Sequence, residues 1–552
     1  MRALAVLVVI VTACGAPAPT ASSDAGRDGG TLVVGWQEPG TLNPLYTTGA
    51  QTSALVSAIT LEGLLGVDPD GAFVPALSES VPTVENGGVV LDGAGGMAVR
   101  YLLRGGVRWS DGAPFTSADV RFTWELILRD PKVTTRDGYD QIDALETPDE
   151  RTVILRYRRI YVPYLSRFPA ILPRHALDGV ADVARADFSR VPIGTGPFRV
   201  VENVAGDHLT AERNPHYRVP GRPRLGRVII RFIGSIDAAL AQLKAGETHV
   251  APSVGEAEAA DLAAAGMTLV TATSPIVEAV AFNLARPGAE PDQPHPVLAD
   301  RAVRRALVQA TPKALIAASL LRGTVIPGRS EIPIGPLAAG LTQDEHDPAA
   351  ARRALDLAGW RVGPDGIRAK GGTRASLRLV GTTGNRTREQ VQQVLVDAWR
   401  DVGIEATIRN VPPSVLTGSW ASGGVRQRGD FDALIAQLGL GTTGDVDPHA
   451  YLARRHRCDA IPRTSNGGAG ANYERFCDPR VDRLLDAAGK TPSIQGRREA
   501  YVQVLRILNE EAIAIWLYDR MRIDALRPEV AGHAANPWAQ TTWDVAEWYL
   551  RR

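Results

Sequence analysis

Leu103-Arg104-Gly105-Gly106-Val107-Arg108-Trp109-Ser110-Asp111-Gly112, followed by Pro114, Thr116, Ala118, Asp119 and Val120, is the stretch on which the fold turns. The run Val99 to Leu103 leading into it is short and apolar, as a buried strand requires. Asp111-Gly112 is turn chemistry, and Trp109 just before it has the bulk of a core aromatic at a hairpin end. Thr116-Ser117-Ala118-Asp119 then reads as a capping box. Val120, Trp124 and Ile127 recur at helical spacing, which predicts a helix from Thr116 to Leu128. Glycines, prolines and caps dictate backbone shape, so this stretch is expected to build structure rather than to carry chemistry.

The same alternation extends outward. Leu32-Val33-Val34 and Val228-Ile229-Ile230 read as buried strands, with the mature fold starting at Thr31. After the second comes a helix with Ile236, Ala239, Leu240 and Leu243 on one face and Gly246 at its end. Thr311-Pro312 is expected to open another helix, with threonine as cap and Gly323 as its close. Asp347-Pro348 does the same for Ala349 to Ala358, with Gly359 as the stop. Glu389 to Arg400 buries Val391, Val394, Leu395 and Ala398, and Gly403 ends it. Ile404 to Ile408 then alternates as a half-buried strand. Strands alternating with helices make an α/β protein. At 552 residues the chain exceeds what one core supports, so two or more lobes are expected.

Composition narrows the function. The apolar fraction is 44% and the charged fraction 22%, with a formal net charge of zero. A nucleic-acid partner would demand a basic surface, and an anionic membrane a polybasic patch. Met1-Arg2 and the apolar run Ala3 to Val11 form a leader too short to span a bilayer. It ends in Val11-Thr12-Ala13-Cys14-Gly15, which resembles the bacterial lipobox. Cys14 is therefore expected to be lipidated, residues 1–13 to be removed and residues 14–30 to form a flexible tether. Cys458 and Cys477 form an isolated pair which, outside the cytoplasm, tends to be oxidised; a bridge there would stabilise by roughly 3 kcal/mol. A metal site with His449 and His456 is the rival, but the spacing matches no zinc pattern.

Taken in order, these blocks resemble the bacterial solute-binding proteins of family 5, the large dipeptide- and oligopeptide-binding class. The stretch from Leu103 to Val120 is similar to the family signature. So are Gly194-Thr195-Gly196-Pro197-Phe198, Glu212 to Tyr217, Ala245-Gly246-Glu247, Phe282-Asn283-Leu284, Val303 to Leu307, Ala351 to Trp360, and Asn472 to Leu485. The resemblance implies a two-lobe periplasmic-binding-protein fold (type II) with an inserted subdomain in lobe I. Lobe I would comprise 31–72, the insertion 73–192, then 193–284 and 510–552; lobe II would be 285–509. Hinge strands are expected near Val280 to Leu284 and Ile513 to Tyr518.

The resemblance also implies where a ligand sits. Members hold a peptide's α-ammonium with an aspartate in a loop before a proline. Here that loop runs Gly441 to Pro448. Two readings stand for Asp445, an amine anchor or a helix cap, and Asp447 is read as the cap of the helix opening at Pro448. Arg386 and Arg388, in the loop Gly381 to Thr387, have the bidentate geometry for a peptide carboxylate; the rival is a solvated loop arginine. Trp36 and Trp420 are candidates for lining the pocket, against the commoner fate of a core tryptophan.

The function implied is extracytoplasmic capture of di- or oligopeptides for an ABC importer, by a lipid-anchored monomer. Its partners would be the peptide and the permease subunits, with the membrane reached through the lipid anchor alone. Alternatives are a nickel chelate, haem, opine or oligosaccharide as solute, or a receptor lipoprotein that does not transport. Methionine and histidine are not clustered, so no metal or cofactor is expected. No Gly-x-Ser-x-Gly elbow, His-Glu-x-x-His or Walker loop is present, which argues against an enzyme.

Overall fold

The computed structural model describes residues 29–47, 50–441 and 446–551. Cys14 and Asp445 lie outside the described residues. Among the described residues, ten strands run through one continuous sheet. In chain order they are β1 (Thr31–Trp36), β2 (Phe198–Val204), β3 (His208–Arg213), β4 (Arg227–Phe232), β5 (Val250–Ala251), β6 (Thr268–Phe282), β7 (Ser376–Thr382), β8 (Glu405–Val411), β9 (Ala433–Gly439) and β10 (Ala514–Leu526). In space they lie β8-β7-β9-β6-β10-β5-β1-β4-β3-β2, with Ile326–Pro327 added against β10. The helices used below are α1 (Ser117–Arg129), α2 (Ile236–Ala245), α3 (Glu256–Ala264), α4 (Arg301–Ala310), α5 (Pro348–Leu357), α6 (Arg386–Asp401), α7 (Pro448–His456), α8 (Pro479–Ala488) and α9 (Ile494–Glu510).

The two long strands, β6 and β10, pair antiparallel and belong to both lobes. At their lobe I end β10 pairs with β5, and at their lobe II end β6 pairs with β9. Each lobe wraps its part of the sheet in its own core. Val280, Phe282, Leu379, Ile435 and Leu517 pack beneath Leu395 and Trp399 of α6 on one face of lobe II. Ala279, Ala281 and Trp516 pack beneath Leu505 and Leu508 of α9 on the other. In lobe I, Leu32, Val34, Val228 and Ile230 close on Val545 and Trp548 from the end of the chain.

The opening stretch behaves as its chemistry dictates, directly after the strand 97–102 of a separate sheet whose four strands, among the described residues, are ordered 89–91, 97–102, 152–157 and 142–146. Trp109 is 1% exposed and meets Phe115 edge to face. The turn closes through Gly112 N–H donating to the Trp109 carbonyl at 2.9 Å. The Thr116 amide donates to the Asp119 carboxylate at 2.8 Å at the start of α1. Ser110 N–H donates to the Gly194 carbonyl at 2.8 Å, and the Asn214 side chain donates to the Gly196 carbonyl at 2.8 Å. A Cβ on Gly194 would meet the Thr60 carbonyl oxygen at 1.7 Å, so only glycine fits there. Three of the resembling blocks are thus one structural knot.

Three local expectations are corrected. Ile236 is 46% exposed, and α2 buries only Ala239, Leu240 and Leu243 of the expected face. Thr311 does not cap the helix after it: its hydroxyl donates back to the Leu307 carbonyl at 2.8 Å and accepts from Trp399 Nε1 at 3.1 Å, so Pro312 takes the cap position. Arg386 and Arg388 are not loop residues. Asn385 caps α6 by accepting from Arg388 N–H at 3.0 Å, which starts the helix three residues before Glu389 and puts both arginines in its first turn. Asp347 and Asp447 cap as read, accepting from Ala350 N–H at 2.8 Å and His449 N–H at 3.0 Å.

Candidate functional site

Strand directions locate a cleft. β7, β8 and β9 are parallel, and β9 runs antiparallel to β6, so their carboxyl ends point back along β6 toward lobe I. β1, β4 and β5 are parallel, and β5 runs antiparallel to β10, so their carboxyl ends point toward lobe II. The two sets of carboxyl ends therefore face each other across the crossing strands. In open α/β sheets that is where ligands bind. Trp36 ends β1, Thr382 ends β7 and Gly439 ends β9, so all three stand at this cleft.

β6 bulges at the crossing. Thr273 pairs with Met521, but the next paired residue is Val277, opposite Asp519. The extra residues Ser274-Pro275-Ile276 dock on β9: Leu440 N–H donates to the Pro275 carbonyl at 3.0 Å. Gly439 makes this approach, with φ +125° and a hypothetical Cβ 2.2 Å from the same carbonyl oxygen. A bulge in a long shared strand concentrates bending there.

Beside the bulge a chain of charges crosses from one lobe to the other. Arg520 of β10 donates to Glu256 of α3 at 2.6 and 3.0 Å and reaches Glu278 of β6 at 3.4 Å. Arg388 of α6 grips the same Glu278, with Nε at 2.5 Å and Nη2 at 3.3 Å, and donates to Thr382 Oγ1 at 3.2 Å. Glu278 is 1% exposed. Burial opposes charge on Arg520, but the Glu256 and Glu278 carboxylates hold it firmly protonated. Next to it, burial lifts the Asp519 carboxyl to about 7 against the pull of Arg329 and Lys313.

Each sequence candidate now has a place. Arg388 stands at the cleft edge but is committed to Glu278. Arg386, two residues earlier, is exposed. Trp36 is half-buried at the carboxyl end of β1 and packs on the lobe I core. Trp420 is held within lobe II, with the Arg428 guanidinium 4.1 Å from its ring centre and Gly468 against its face. Cys458 and Cys477 are disulfide-bonded, which removes both thiolates from any metal site. His456 Nε2 lies 2.6 Å from Glu331 in a buried cluster with Tyr451, Arg455 and Glu474. Burial alone would raise the Glu331 carboxyl, but His456 and Arg455 hold it down to about 2. Among the described residues no three His, Cys, Asp or Glu side chains are placed to hold a metal ion. No described helix is long and apolar enough to cross a membrane.

Sequence reasoning missed Glu278, Arg520 and Glu256. The available signal was a lone glutamate inside the apolar run Pro275 to Phe282, and Arg520 at the end of another apolar run, since buried charges require partners.

Comparison with known proteins agrees with this geometry. Residues 73–459 match the model of the bacterial extracellular solute-binding proteins, family 5 (middle). The chain is 29% identical to Protein XP55 of Streptomyces lividans, covering 90% of this chain and 86% of that one. It is 27% identical to the oligopeptide-binding protein AppA of Bacillus subtilis, covering 100% and 98%. The structure of that AppA in complex with a nonapeptide superposes with a TM-score of 0.67 at 25% identity, over 96% of this chain and all of the other. NikZ from Campylobacter jejuni, in complex with Ni(L-His), shares the fold with a TM-score of 0.71 at 22% identity, over 94% and 99%.

Proposed function

Because the chain belongs to the bacterial extracellular solute-binding proteins of family 5, we propose that it captures short peptides between its two lobes and delivers them to an ABC importer. The observation that carries this is the pair of opposed strand ends on either side of a bulged, two-stranded crossing, which is a trap that closes by bending at one line. The peptide class is supported by the full-length likeness to AppA. The lobe boundaries given above, with the insertion at 73–192, divide the trap, except that β6 and β10 are shared: β6 from Val277 onward and β10 up to Tyr518 go with lobe II rather than lobe I. Asp445 is the proposed anchor for the ligand ammonium. With Arg388 engaged by Glu278, Arg386 is the arginine of the pair left for a ligand carboxylate. Trp36 lines the lobe I wall. Cys14 carries the lipid that holds a monomer at the outer face of the membrane, where the permease subunits receive the cargo.

Native mass spectrometry of the purified protein, followed by calorimetry with the co-purified solute, tests the reading. A peptide is expected. Asp445→Asn should weaken a free-amine peptide by about 2–5 kcal/mol and spare its N-acetylated form. Recovery of a metal chelate or a sugar in its place would overturn the peptide assignment while leaving the trap.

A further inference from the structure

The lobes meet at a second place, outside the crossing strands. The short helical turn Val162–Ser166 belongs to the inserted subdomain, whereas α7 and α9 belong to lobe II. Arg497, in the first turn of α9, lies between them with its side chain 1% exposed. Its Nη1 donates to the carbonyls of Thr491 at 3.1 Å and Pro492 at 2.6 Å, in the turn just ahead of its own helix. Its Nη2 donates to the Val162 carbonyl at 3.2 Å and pairs with the Asp447 carboxylate. Asp447 is 2% exposed and caps α7. Val67 and Trp538 of lobe I also pack on the lobe II core formed by α7, α8 and α9.

One guanidinium thus does two jobs. Its bonds to Asp447, Thr491 and Pro492 lie inside lobe II and survive any rigid movement of the lobes. Its bond to Val162 does not, because the acceptor leaves with the inserted subdomain. We infer that Arg497 is a positioning residue of the trap, a latch that fixes the start of α7 and holds it against the inserted subdomain when the lobes close. The inference rests on the reading of capture by lobe closure. Arginine suits the role because its planar fork addresses several acceptors at once, which a lysine ammonium on a flexible stem does not reproduce.

The test measures the distance between the lobes. Spin labels are placed through Arg136→Cys on the inserted subdomain and Gln390→Cys on α6, both exposed, in a full chain carrying Cys14→Ser. Pulsed electron resonance reads the distance distribution with and without a tryptic digest of casein. Wild type should show a short-distance population that the digest enlarges. Arg497→Lys keeps the charge beside Asp447 and should melt near wild type, yet its ratio of closed to open molecules should fall several-fold. Arg497→Met should lower that ratio roughly tenfold, the scale of one hydrogen bond to a charged group. If Arg497→Met fails to fold, the lysine variant decides. An unchanged distribution in Arg497→Lys, or a drop in melting temperature alone in Arg497→Met, would overturn the latch. So would a wild type with no short-distance population under either condition. Whether digest peptides bind is read separately by native mass spectrometry, so a failure of the peptide reading is not mistaken for a failure of the latch.

Discussion

The crossing strands and the contact of α9 with the inserted subdomain both join the lobes through arginine, but in different ways. At the crossing, Glu278 and Arg520 sit on strands that belong to both lobes, so the charges stay together as the strands bend. At the α9 contact, Arg497 holds its lobe I partner only through a carbonyl on a separate segment, so movement breaks the contact. The first network is a matter of stability and the second of equilibrium between states. A buried charge pair contributes little net stability, but removing one member leaves the other uncompensated.

The largest effect should follow from Glu278→Gln. It leaves Arg388 without a carboxylate and Arg520 with Glu256 alone, and should cost about 3–5 kcal/mol in urea denaturation. A double variant Glu278→Gln, Arg388→Gln should recover part of that loss; if the double is no better than the single, the three groups do not act together.

At the α9 contact, Asp447→Ser retains a cap but removes the carboxylate facing Arg497. Its cost should approach about 3 kcal/mol, well above the ~1 kcal/mol of a lost cap. A loss no greater than the cap's share would show that Arg497 finds other acceptors, and would sharpen the contrast with the crossing.

Lobe I supplies a pH-dependent counterpart. His533 has Asp544 at 2.9 Å on Nδ1 and Asp524 at 3.2 Å on Nε2. Burial opposes its charge, but the two carboxylates raise it from 6.5 to about 9. A raised folded value stabilises fully below 6.5, and the stabilisation is lost as pH rises through about 9. The unfolding free energy from urea denaturation should therefore fall across that window by up to a few kcal/mol, and His533→Gln should flatten the fall. The smallest and most local effect should come from reducing Cys458–Cys477, at most about 3 kcal/mol. Thiol labelling of the denatured, unreduced protein should find neither cysteine free.

What was legible in the sequence was what local chemistry decides. Asp347 and Asp447 cap helices because the acceptor, the amide and the proline lie within three residues of each other. Trp109 and the Asp111-Gly112 turn were readable for the same reason. Thr311 was misread because its hydroxyl answers to Trp399, a contact made only in the folded core. The first turn of α6 was missed because Asn385 caps it ahead of the apolar periodicity. Arg388 carried the right chemistry for a carboxylate, but the carboxylate it meets is 110 positions away in the chain. A charge in an apolar strand announces that a partner exists without naming it. Asp445 and Cys14 remain as the sequence reads them.

The place of β10 at the centre of the sheet governs the order in which the molecule can be assembled. It is the last strand of that sheet to leave the ribosome, yet it lies between β6 and β5. Until residues 514–526 emerge, β5 is held to β1 by a single residue pair, Val34 with Val250, and β6 offers a bare edge along its lobe I half. Trp548, which closes the lobe I core, comes later still. A nascent chain therefore presents lobe I as an unfinished sheet whose two halves wait for their keystone. Any factor that recognises unpaired strand edges has the whole of synthesis in which to bind it.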